Sequence, residues 1–91
     1  MKIYVVVVEA STSRGNETKV SETGHPVIET ARVELVEQIN GIKANPKSCF
    51  GYDRPDDLKT RWVTDRFCVL EDTFSGDLVN IYIHEINIIE P

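Results

Sequence analysis

The chain has 91 residues, 41% hydrophobic and 27% charged, with a formal net charge of −5 at pH 7. That length closes one small core, so a single domain over residues 1–91 is expected and two domains are excluded. The acidic balance argues against a surface of clustered Lys and Arg, so neither direct nucleic-acid contact nor docking on an anionic membrane is expected.

Ile3 to Val8 is an Ile/Tyr/Val run, which predicts a strand apolar on both faces and therefore central in its sheet. The opening "MKIYVVVVEA" imitates a signal peptide, but its apolar part is too short and its β-branched residues suit a strand. With no secretion signal, Cys49 and Cys68 read as reduced thiols and the protein as cytoplasmic. No apolar run has the length to cross a bilayer. Ala10 to Thr18 is polar around Gly15-Asn16, which predicts a mobile turn leading into a short second strand near Lys19 to Ser21.

Pro26 suits a first helical turn, Glu29 complements the helix dipole and Asn40-Gly41 suits an end. Between them Ile28, Ala31, Leu35, Ile39 and Ile42 recur at spacings of three and four. The spacing predicts a helix from Pro26 to Asn40, in preference to a strand through Ala31, Val33 and Leu35. Lys43 to Asp65 contains Pro46, Gly51 and Pro55 and has no long periodicity, which predicts a functional loop. Within it Asp53 is expected to cap a helical turn through "RPDDLKTRW", with Leu58 and Trp62 on one face.

Phe67 to Asp72 and Leu78 to Ile88 read as two strands joined by a hairpin over Thr73 to Asp77. In the last strand Val79, Ile81 and Ile83 share a face, then the apolar set changes parity to Ile86 and Ile88. A β-bulge at His84-Glu85 would return all five to the core and turn Asn80, Tyr82 and Asn87 outward. The whole reads as an α+β fold, an antiparallel sheet of about four strands in the order β-β-α-β-β with one principal helix on one face. The second face then needs a cover, either the long loop with Phe50 and Trp62 or a second copy as a homodimer.

The candidate chemistry is thin. His25, Cys49, Cys68 and His84 are the right set for zinc but contain no closely spaced pair. Asp72 to Asp77 lacks the alternate acids of a calcium loop. A Cys68–His84 nucleophile pair requires both on one sheet face, and Asp56-Asp57 reads as a dipole partner at a helical start. The "STSRGN" stretch lacks a phosphate-loop pattern. No catalytic residue, metal or cofactor is assigned.

Charge distribution is the sharper signal. All 10 Lys and Arg lie at or before Arg66, where acids balance them, so the imbalance falls on Glu71, Asp72, Asp77, Glu85 and Glu90. On one ribbon these five would attract a basic protein partner. The layout "KIYVVVVE", a helix containing "ETARVELVEQI" and an ending "LVNIYIHEINI" resembles small uncharacterised β-β-α-β-β proteins of bacteriophages and their hosts. That resemblance implies a small accessory protein or an inhibitor of a host factor. The leading expectation is a non-catalytic interaction protein using the acidic hairpin. The alternative is a small-ligand binder using the 43–65 loop against the helix, with Arg54, Lys59, Arg61 and Trp62 as contacts.

Overall fold

The computed structural model describes residues 1–13, 15–51 and 58–89. Its elements are β1 (Lys2–Thr12), β2 (Gly15–Val20), α1 (Ile28–Ala44), α2 (Lys47–Phe50), β3 (Leu58–Thr64), β4 (Phe67–Asp72) and β5 (Leu78–Asn87). The strands form one antiparallel sheet in the order β2-β1-β5-β4-β3. The α+β class with one main helix therefore holds, with five strands instead of four.

The helix forms on the predicted apolar spacing but at Ile28–Ala44 in place of Pro26–Asn40: Pro26 precedes its first turn and Asn40-Gly41 lies inside it. Ala31, Leu35, Ile39 and Ile42 are its buried residues, and α1 runs past Gly41 to close on Asn45, whose N–H donates to the Gly41 carbonyl at 3.0 Å. Leu35, Ile39 and Ile42 pack on Val6, Val8 and Ala10 of β1, Val79 and Ile81 of β5, and Cys68 and Leu70 of β4. Phe50 of α2 is fully buried in the same core. Each such large side chain contributes on the order of 1.5–3 kcal/mol, so α2, though one turn long, anchors the chain leaving the helix. Gly51, at φ +81°, then reverses direction in a conformation that favours glycine.

Three sequence expectations are corrected. The polar stretch after Ala10 is a regular hairpin, with β1 extending to Thr12 and β2 beginning at Gly15. Every β2 residue is exposed, which removes the alternation that normally reveals a strand. The "LKTRW" segment is strand and not helical turn: Leu58 to Thr64 pairs with β4, and Leu58 and Trp62 share a face because they are an even number of residues apart. The proposed Asp53 cap lies outside the described residues. Finally, the β1–β5 ladder is unbroken from Lys2↔Asn87 to Ser11↔Leu78, so there is no bulge at His84-Glu85. The parity change has another cause: Ile86 sits opposite Ile3 on the second face.

That second face carries Ile3, Val5, Val7 and Glu9 of β1, with Asn80, Tyr82, His84 and Ile86 opposite them. No helix or strand among the described residues crosses it. Phe50 belongs to the helix-side core, and Trp62 shares the sheet face of Cys68, its cross-strand neighbour, so this pair does not provide the cover expected of the loop.

Candidate functional site

The acidic residues of the last hairpin do not converge. Asp72 and Asp77 are 2% and 5% exposed. Asp72 Oδ1 accepts the Phe74 N–H at 3.0 Å and Oδ2 accepts the Ser75 hydroxyl at 2.9 Å. The Gly76 N–H donates to the Asp72 carbonyl at 2.8 Å, with Gly76 at φ +80°. Asp77 Oδ1 accepts the Ser13 N–H at 3.0 Å, tying this turn to the β1–β2 turn. Both carboxylates thus satisfy backbone donors that the turns leave over.

The remaining three go elsewhere. Glu71 lies on the second face directly opposite Lys59. Glu85 lies on the helix-side face and pairs with Lys2 at 3.4 Å. Glu90 is outside the described residues. The four described carboxylates therefore point to different surroundings and form no single solvent-facing acidic field.

The alternative ligand set also divides. Lys59 and Arg61 share the second face at the β3 edge, whereas Trp62 stands on the opposite face, 48% exposed. Arg54 lies outside the described residues. A groove of about 360 Å³ does exist, but between α1, α2 and the β1–β2 hairpin, where Val6, Val8, Lys19, Ile42 and Cys49 line it.

The second sheet face is the most distinctive surface. At its centre the Phe67 and Tyr82 rings stack, with centroids 5.3 Å apart and planes 8° from parallel. The Tyr82 hydroxyl donates to the Glu9 carboxylate. That bond raises the Tyr82 pKa above the ordinary tyrosine value, helped by burial and by the Glu9 charge, since each disfavours the phenolate. Around the rings lie Ile3 against Ile86 and Val7 against Val20. Ile86 is 39% and Val20 57% exposed, whereas Val5, Val7 and Val69 lie buried between the side chains of neighbouring strands. Polar groups interrupt and border the patch: the exposed His84 stands between Ile86 and Tyr82 opposite Val5, and Asn80 lies between Glu9 and Val69.

Cys68 and His84 are on opposite faces of the sheet, so they do not form a nucleophile–base pair. Burial pushes the Cys68 thiol pKa up, which makes it inert, although the Lys43 charge and a backbone bond at Arg61 oppose the shift. Among the described residues no three His, Cys, Asp or Glu converge in a metal-holding group.

One polar cluster escaped the sequence reading. Glu34 Oε1 lies 2.5 Å from His25 Nε2 and accepts the Ser21 hydroxyl at 3.0 Å. His25 Nδ1 meets Thr30 Oγ1 at 3.1 Å, and that hydroxyl donates to the Val27 carbonyl. The carboxylate stands between the Ser21 hydroxyl and the imidazole, and the Thr30 hydroxyl beside the ring spends its proton on the Val27 carbonyl, so this is a strap joining the β2–α1 connection to the helix. The backbone of the same segment continues the sheet, with Tyr4 and His25 exchanging hydrogen bonds at 2.8 Å. Residues nine apart across a non-periodic connection leave no signal for this cluster in the sequence.

Comparison with protein-family models, curated proteins and solved structures gave no match.

Proposed function

We propose that this is a small non-catalytic interaction protein, an accessory protein or inhibitor, that docks on a protein partner through the uncovered face of its sheet. The observation that carries the reading is the apolar set of that face, Ile3, Val20, Phe67, Tyr82 and Ile86, set among the buried Val5, Val7 and Val69, with no helix or strand of the described residues across it. A patch of this composition, rimmed by polar groups, is characteristic of protein-contact surfaces. Tyr82 resembles an interface anchor, since its ring is held by stacking and its hydroxyl by Glu9 before any partner arrives.

Charge plays a different part from the one expected of the hairpin. The net charge of −5 favours encounter with a basic partner over long range, while the docking surface itself mixes Glu9 and Glu71 with Lys59 and Arg61. Salt should therefore slow association more than it weakens the bound complex.

The test is capture with three baits: wild type, Ile86→Asp and Glu71→Lys. Ile86 is part-exposed, so its replacement should change stability by less than about 1 kcal/mol. The proposal expects an interactor retained by Glu71→Lys and lost by Ile86→Asp. Retention by Ile86→Asp with loss by Glu71→Lys would contradict the proposal and place the contact on the acidic hairpin.

A second reading rests on the groove between α1, α2 and the β1–β2 hairpin, whose size suits a small ligand. A metabolite bound there should raise the melting temperature, and Ile42→Trp, which fills the groove, should abolish that rise.

A further inference from the structure

We propose that β2 is a separate docking edge whose occupant is β2 of a second copy of this chain, paired antiparallel about a twofold axis through Thr18. β2 is an edge strand, bonded to β1 on one side, and all of its residues are exposed. Its ladder runs without a bulge from Val7↔Val20 to Thr12↔Gly15 and contains no proline, and its charges, Glu17 and Lys19, are of opposite sign, so they discourage pairing with most edges but not with a copy of this one.

The direction of its free backbone groups follows from one bond. Ser21 N–H donates to the Val6 carbonyl at 2.9 Å. Antiparallel ladders alternate, so Lys19 and Glu17 also turn their N–H and C=O toward β1, while Val20, Thr18 and Asn16 turn theirs outward. A twofold through Thr18 sets Thr18 against Thr18 of the second copy and Asn16 against Val20. These are the residues whose groups point across.

Charge selects that register. With Thr18 at the centre, Glu17 faces Lys19 of the second copy and Lys19 faces its Glu17, at the non-hydrogen-bonded positions where side chains approach most closely. Centring on Glu17 would oppose two glutamates, and centring on Lys19 two lysines. In the single chain Glu17 and Lys19 bridge each other at 3.6 Å and remain largely in water, so both are available to re-pair.

The other edge does not offer this match. β3 has an irregularity between Trp62 and Thr64. Self-pairing about Thr60 would oppose Lys59 and Arg61, and about Arg61 would oppose two arginines. Pairing β2 to β3 would leave free edges and build an open array, whereas β2 to β2 closes. In the closed pair both α1 helices lie on the same side, and the two uncovered faces join on the other. An edge of six residues buries less than the roughly 1,200 Å² of a standard interface, so the dimer is expected to depend on concentration.

Sedimentation velocity across a concentration series tests this with wild type, Glu17→Lys, the Glu17→Lys/Lys19→Glu double swap, Thr18→Pro and Ile86→Asp. The Thr18 N–H points away from β1, so Thr18→Pro should keep the native circular dichroism while removing both central cross-copy bonds. The expected result is a wild-type monomer–dimer equilibrium, a dissociation constant raised about tenfold or more by Glu17→Lys, and recovery in the double swap. Thr18→Pro should stay monomeric and Ile86→Asp should behave as wild type. The double swap keeps every wild-type backbone group and decides independently of the proline variant. A wild-type monomer throughout, or a dimer indifferent to Glu17→Lys and dispersed by Ile86→Asp, would overturn the proposal.

Discussion

Asp72 shows how a charged residue in sequence becomes a structural one in the fold. Its carboxylate accepts two donors from its own turn, and at 2% exposure it cannot exchange them for water without opening the hairpin. Asp72→Ala should cost about 1–3 kcal/mol in urea denaturation, the range for leaving buried donors unsatisfied. Tyr82 gives a second residue-scale prediction. Its folded pKa is raised, so the stabilisation from the Glu9 bond is complete below about pH 10, the ordinary tyrosine value, and is lost as pH rises through the higher folded value. Ultraviolet titration of tyrosinate should show a late-titrating group that Tyr82→Phe removes, and Glu9→Gln should move it back toward the ordinary range. A titration unchanged by that substitution would contradict the assignment.

Elements were legible in proportion to how strongly burial patterned them. The helix's buried stripe, Ala31, Leu35, Ile39 and Ile42, follows from spacing alone, because one side meets a sheet and the other meets water. β2 and β3 left no such imprint, since they are edge strands largely exposed on both faces. The acidic hairpin misled for a related reason: sequence counts charges but not the donors they meet, although Asp, Ser and Gly spaced over Asp72 to Gly76 are turn residues and were the available clue. The connection from β2 to α1 makes a further element-scale prediction. A methyl on Gly24 would stand 2.7 Å from Ile3 Cγ2, the methyl attached directly to the branched Cβ, whose stiff χ1 gives it little room to swing aside. Gly24→Ala should lower stability by about 1–3 kcal/mol, the range for overpacking. A second-site Ile3→Ala should recover part of that loss in the melting temperature.

At the scale of the whole molecule, the helices among the described residues, α1 and the single turn of α2, cover one side of a five-stranded sheet. The sequence already indicated the difficulty, because Ile3 to Val8 is apolar on both faces. The structure places the unsolved side on β1, β5 and β4, and the parity change at Ile86 reflects an apolar set passing from the covered face to the uncovered one. The proposed docking on that face would add the cover that the described residues do not supply.

Methyl cross-saturation from a captured partner onto the labelled protein is the most direct test. The account predicts transfer to Ile3, Val20 and Ile86 on the uncovered face, with Ile39 and Ile81 in the helix-side core unaffected. Transfer concentrated near the Asp72–Asp77 turn, with Ile3 and Ile86 silent, would contradict it.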